Sequence, residues 1–130
     1  MMRSSILMDL EARASSEPDR LLLADGAVRL SYAEVQRRAL AIGGYLRSVG
    51  VKKGERVAVL TSKTYEQPLA QLGVLAAEAV VVPISDLLRV AQVEHIVRDC
   101  GVRAAIVDHD KVKRLGPDVA DFQLLLAGTG

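Results

Sequence analysis

The sequence predicts an α/β fold: a parallel sheet with helices on both faces, plus a small N-terminal β-hairpin. Three observations carry this. Strand-like and helix-like segments alternate as β-α-β-α-β from Arg56 onward, the order that builds a parallel sheet with right-handed crossovers. Arg56-Val57-Ala58-Val59-Leu60 lacks the polar alternation of a half-solvated strand and reads as buried on both sides. Asp25-Gly26, between the apolar runs Leu21 to Ala24 and Val28 to Leu30, is a strong hairpin signal, because such turns need residues that tolerate positive φ.

Taken in order, Ile6 to Ala14 reads as a short helix, followed by the loop Ser15-Ser16-Glu17-Pro18-Asp19 and the hairpin. A long helix then opens with Ser31 three residues before Glu34, a spacing that lets each side chain bond an otherwise unpaired N–H. Val35, Ala39, Ile42, Leu46 and Val49 recur in steps of four and three and mark its buried face. Gly50 should stop it, since the residue past a helix end commonly takes a left-handed backbone. Val51-Lys52-Lys53 reads as an exposed turn, and Gly54 turns the chain into the Arg56–Leu60 strand.

Thr64 to Ala77 is expected as the next helix, with Thr64 and Gln67 as a capping pair and Pro68 tolerated in the first turn. Val80-Val81-Val82-Pro83-Ile84 reads as a second buried strand ending near Pro83 and Ser85. A helix from Arg89 to Cys100 stops at Gly101 and leads into the strand Arg103 to Val107. Lys111 to Leu115 is expected as a helical turn and Phe122 to Leu126 as a fourth strand. Residues 1–130 are one domain's worth of chain, enough to bury about two thirds of its unfolded surface. The sequence stops at Gly128-Thr129-Gly130, directly after that strand, which leads us to expect a fragment.

Net charge is +1, yet Arg29 to Arg56 carries seven basic and two acidic residues. With 3% aromatic residues there are no stacking platforms, so the basic stretch is read as a solvated helix face and not as a nucleic-acid surface. A single cysteine, Cys100, excludes an internal disulfide framework and fits a reducing compartment. Met1 to Leu10 carries Asp9 and lacks the apolar core of a signal peptide, and no run reaches the length of a membrane span. A soluble, cytoplasmic chain is expected.

In open parallel sheets ligands collect at the carboxyl ends of the strands. Those ends carry Thr61, Ser62, Lys63 and Thr64, then Ser85 and Asp86, then Asp108, His109 and Asp110. Capping and turn formation explain most of them. Lys63 is the exception, a cation beside a helix start that could help hold an anion, and it is the one weak cofactor-binding candidate. His95, Cys100, Asp108 and His109 supply metal-ligand chemistries without a ligand spacing, so no metal site is assigned. Leu124 to Gly130 is too short for a phosphate loop, which needs a lysine and a following helix. No nucleophile with a base, and hence no catalytic residue, is apparent.

The order LSYAEV, GVKKGERVAVL, LAQLGVLAAEAVVVPIS and QVEHIVRDCGVRAAIVD resembles the N-terminal part of AMP-forming acyl-CoA synthetases, within the adenylate-forming ligase superfamily. Nearly the whole chain is covered, and Gln92 to Arg103 is most similar to the acyl-CoA ligases associated with exosortase systems. The resemblance implies an intact enzyme that activates a carboxylic acid with ATP and Mg to an acyl-adenylate and then forms a CoA thioester. It implies that this chain belongs to a larger adenylating domain and is inactive alone, the family's phosphate loop and nucleotide contacts lying beyond the matched region. No cofactor is expected to bind this chain by itself. Its expected partner is the remainder of the synthetase, in the same or a separate chain, with self-association through exposed apolar surface. Two rival readings are an interaction module docking onto separate synthetase domains and a small nucleotide-binding α/β protein. The absence of G-x-G-x-x-G after any strand weighs against the latter. Glu78 departs from the family pattern, standing where a glycine is usual, and Asp86 and Val90 stand where prolines are frequent.

Overall fold

A computed structural model of the chain describes residues 5–108, 111 and 123–127. Helix α1 spans Ser5–Ser16, followed by strands β1 (Leu21–Asp25) and β2 (Val28–Ser31) and helix α2 (Tyr32–Ser48). Strand β3 (Arg56–Leu60), helix α3 (Glu66–Ala76), strand β4 (Val80–Pro83), helix α4 (Val90–Asp99) and strands β5 (Val102–Asp108) and β6 (Gln123–Ala127) complete the described chain. β1 and β2 form the antiparallel hairpin, turned by Gly26 at φ 59°. The other four strands form a parallel sheet in the order β4-β3-β5-β6, as the alternation predicts.

The sheet is covered on both faces. Val57, Val59, Ala104 and Ile106 face Leu46 of α2 and Ala70 and Val74 of α3. Ala58, Leu60, Ala105 and Val107 face Val93 and Val97 of α4. Alternate side chains of one strand thus serve opposite cores, and each fully buried valine or leucine contributes about 1.5–3 kcal/mol. A third cluster, of Leu7, Leu10, Leu30, Val35 and Leu69, ties α1 and the hairpin to α2 and α3.

The start of α2 forms half of the expected reciprocal cap: Ser31 caps the helix, but the Glu34 side chain takes no bond from the Ser31 N–H. Ser31 Oγ accepts the Glu34 N–H at 3.2 Å. The Glu34 carboxylate accepts from the Ser31 hydroxyl at 3.4 Å, while the Tyr32 and Ala33 N–H groups donate to the carbonyls of Arg20 and Pro18. Gly50 and Gly54, at φ 99° and 80°, make the turn into β3. α2 and α3 then cross at a glycine from each: a Cβ on Gly43 would lie 2.8 Å from Ala76 Cβ, and one on Gly73 would lie 2.5 Å from Ile42 Cβ.

Several expectations change. Val51 is buried and packs in the main core, so only the two lysines after it are exposed. β4 is not buried throughout: it lies at the edge of the described sheet and Val80 is 46% exposed. The missing N–H of Pro83 costs nothing at an edge. α3 starts at Glu66, two residues late, because Thr64 Oγ1 accepts the Glu66 N–H and not that of Gln67. Asp25, from the hairpin turn, supplies the further acceptor, its Oδ2 taking the Tyr65 N–H at 3.0 Å. Glu78 adopts φ 61°, the left-handed conformation that explains a glycine preference there. Its side chain turns outward to Arg47 at 3.5 Å, and Ala77 and Ala79 on either side stay buried, so the helix-to-strand corner remains closely packed.

Candidate functional site

The connection through α3 places β4 on one side of β3, and the connection through α4 returns the chain to β5 on the other side. Strand order therefore reverses between β3 and β5, and the carboxyl ends at this switch point are where such sheets bind ligands. Ser62 follows β3 there, Asp108 ends β5 and Lys111 lies three residues on.

These three side chains close on one another. Asp108 Oδ2 accepts from the Ser62 backbone N–H and from Ser62 Oγ, both at 2.7 Å. Lys111 Nζ donates to Ser62 Oγ at 2.9 Å and lies 3.3 Å from the same Asp108 oxygen. The Lys111 and Asp108 side chains are only 10% and 14% exposed. Burial raises the Asp108 pKa, but the Ser62 hydroxyl, the Ser62 N–H and the Lys111 ammonium outweigh it and hold the carboxyl below its ordinary value. Ser62 gives its proton to Asp108 and accepts one from Lys111, so its oxygen is held in a cycle of bonds and not presented as a nucleophile. The cluster fastens the end of β3 to the end of β5.

Next to it, Thr61 is 1% exposed and its Oγ1 has no hydrogen-bond partner among the described residues. Lys63 is exposed on the loop before α3. The first N–H groups of this helix are already taken by Asp25, Thr64 Oγ1 and the Thr64 carbonyl. An anion held by Lys63 would compete with the Asp25 carboxylate for these donors. After β4, Ser85 makes the turn anticipated for it, its Oγ accepting the Leu87 N–H at 3.2 Å. His95 Nε2 pairs with Asp99 at 3.0 Å on the exposed side of α4. Among the described residues no three His, Cys, Asp or Glu side chains gather as metal ligands would. His109, Asp110, Phe122, most of the Lys111–Leu115 turn and Gly128-Thr129-Gly130 lie outside the described residues.

A concavity of about 340 Å³ lies between α1, the hairpin and α3, lined by Leu10, Leu22, Leu23, Tyr32, Leu72 and Leu75 among others. Among the described residues no helix is long and apolar enough to cross a membrane.

The sequence alone points to Lys63 and not to Lys111, the lysine that is bound at the switch point. Its signal was the spacing Asp108-x-x-Lys111 directly after an apolar strand, but the partner that gives the pair its meaning, Ser62, is 49 residues from Lys111.

The sequence matches the family described as AMP-binding enzyme over residues 10–125. Among curated relatives, phenyloxazoline synthase MbtB of Mycobacterium sp. (strain MCS) is 36% identical over 116 residues, covering 89% of this chain and 10% of that protein. The solved nonribosomal peptide synthetase FmoA3, bound to alpha-methyl-L-serine-AMP, superposes with a TM-score of 0.85 at 29% identity, covering 93% of this chain and 14% of the other. A fatty acyl CoA synthetase of Mycobacterium tuberculosis gives a TM-score of 0.84 at 25% identity, covering 94% of this chain and 26% of the other. The chain thus spans about a tenth of the length of the first of these relatives.

Proposed function

The chain belongs to the AMP-binding enzyme family, and we propose that its residues 1–130 form the N-terminal subdomain of an adenylating enzyme and are inactive alone. The intact enzyme would use ATP and Mg to convert a carboxylic acid to an acyl-adenylate and pass the acyl group to CoA. The observation that carries the scaffold reading is the closed cycle of Ser62, Asp108 and Lys111. The switch point where a nucleotide would sit is braced by the chain's own side chains, and the α3 N-terminus beside it is capped by Asp25. These residues do not fit a nucleotide. Lys63 is exposed beside this end of the sheet and is the cation we assign to help hold an anion bound mainly by the rest of the enzyme. The remainder of the synthetase is accordingly the natural partner of this piece.

A second reading concerns the acid. The similarity to FmoA3, a nonribosomal peptide synthetase bound to alpha-methyl-L-serine-AMP, favours an amino acid as the substrate of the intact enzyme. Exchange of labelled pyrophosphate into ATP separates these ideas. The 130-residue chain should give no exchange with any acid. The product of the complete reading frame should give exchange with either amino acids or simple carboxylic acids, and CoA-thioester formation then decides the acceptor. Exchange catalysed by the chain alone would overturn the scaffold reading.

A further inference from the structure

The face of α2 turned away from the core has two components. Leu40 and Tyr45 are large apolar side chains, each 47% exposed. Ala41, Gly44 and Ser48 between them have little or no side chain, and a Cβ built on Gly44 would meet nothing within 4 Å. At about 100° per residue, Arg37, Ala41, Gly44 and Ser48 fall on one line along the helix, with Leu40 on one side and Tyr45 on the other. The result is a shallow furrow between two apolar walls.

The second component is charge. Arg37 and Arg38 are exposed and make no hydrogen bond or ion pair among the described residues. Lys52 and Lys53 are exposed just beyond the C-terminal end of α2. The only acidic residue within α2 is Glu34, half-buried and bonded to Ser31. The opposite face of α2 already supplies Val35, Ala39, Gly43 and Leu46 to the interior, so folding does not call for Leu40 and Tyr45.

We propose that this face is a docking surface for an acidic amphipathic helix of a separate partner protein. The furrow admits a helix backbone closely, Leu40 and Tyr45 offer apolar contact, and the uncompensated arginines select for Asp and Glu on the incoming helix. A second copy of this chain would set the same cations against each other. A lipid surface would require a broad apolar face, whereas Arg37 stands on the central line of this one. The inference holds whichever acid the intact enzyme activates.

The test is fluorescence anisotropy of a labelled 20-residue amphipathic peptide with Leu on one face and Glu on its flanks, titrated with the full chain at low salt. Its counterpart with Lys replacing every Glu, and phosphatidylserine vesicles, are the comparisons. The acidic peptide should bind and the Lys peptide should not. Affinity should fall at least about tenfold with Arg37→Glu plus Arg38→Glu and about fivefold with Leu40→Ser, and weaken as salt rises. All three positions are exposed, and unchanged melting temperatures will confirm that the variants fold. Equal binding of both peptides, indifference to these substitutions, preferential binding to vesicles, or no binding of the acidic peptide would each overturn the proposal.

Discussion

Replacing Gly73 with alanine adds one methyl group where α3 crosses α2. The new Cβ would lie 2.5 Å from Ile42 Cβ, whereas ordinary contact begins at 3.4 Å. The atom it meets is the root of the Ile42 side chain, so no rotamer change removes the clash and the helices must separate by roughly an ångström. Separation loosens the packing of Leu46, Ala70 and Val74 over the sheet. Overpacking of this kind costs about 3 kcal/mol at the upper end of its usual range, and the gain from replacing glycine in a helix offsets about 1 kcal/mol. A net loss of about 2 kcal/mol follows. Urea denaturation followed by circular dichroism measures it, with Gly44→Ala as the matched control: the same exchange in open space should stabilise by up to about 1 kcal/mol. A Gly73→Ala chain as stable as the parent would refute the claim that backbone proximity sets this crossing.

The remaining predictions use the same measurement. Glu78→Gly should gain about 0.5 kcal/mol, since relief of the left-handed backbone exceeds loss of the part-exposed Arg47 pair; a loss above about 1 kcal/mol would contradict that. Asp108→Asn should cost about 1–3 kcal/mol at neutral pH by leaving the Lys111 and Ser62 donors poorly matched. Because the folded pKa of Asp108 is depressed, its contribution is complete above the unfolded carboxylate pKa near 4 and is lost as pH falls through the lower folded value, so the variant should show a flatter acid limb. An acid limb as steep as the parent's would remove Asp108 from that role. Thr61→Val should be neutral or stabilising by about 1 kcal/mol, because a buried hydroxyl with no partner among the described residues is replaced by an isostere that needs none; a clear loss would contradict that.

Features encoded by near neighbours were legible in the sequence. Ser31 and Glu34 are three residues apart, Gly50 and Gly54 report their own backbone conformation, and Asp25-Gly26 makes its own turn. What escaped depends on distant residues. The start of α3 is set by Asp25, 40 residues away, so Thr64 and Gln67 suggested a cap that does not form. β4 has the composition of a central strand, but strand order places it at an edge of the described sheet. Lys111 acquires significance only when β5 lies beside β3 and brings Ser62 within 2.9 Å. Glu78 was recognisable as unusual, and the positive φ gives the physical reason.

The scaffold reading is tested most directly by isothermal calorimetry of the 130-residue chain with ATP and Mg²⁺. With the switch point braced by Ser62, Asp108 and Lys111 and the α3 N-terminus capped by Asp25, no saturable heat is expected. Stoichiometric binding in the micromolar range would contradict it and would make this piece a nucleotide-binding unit in its own right.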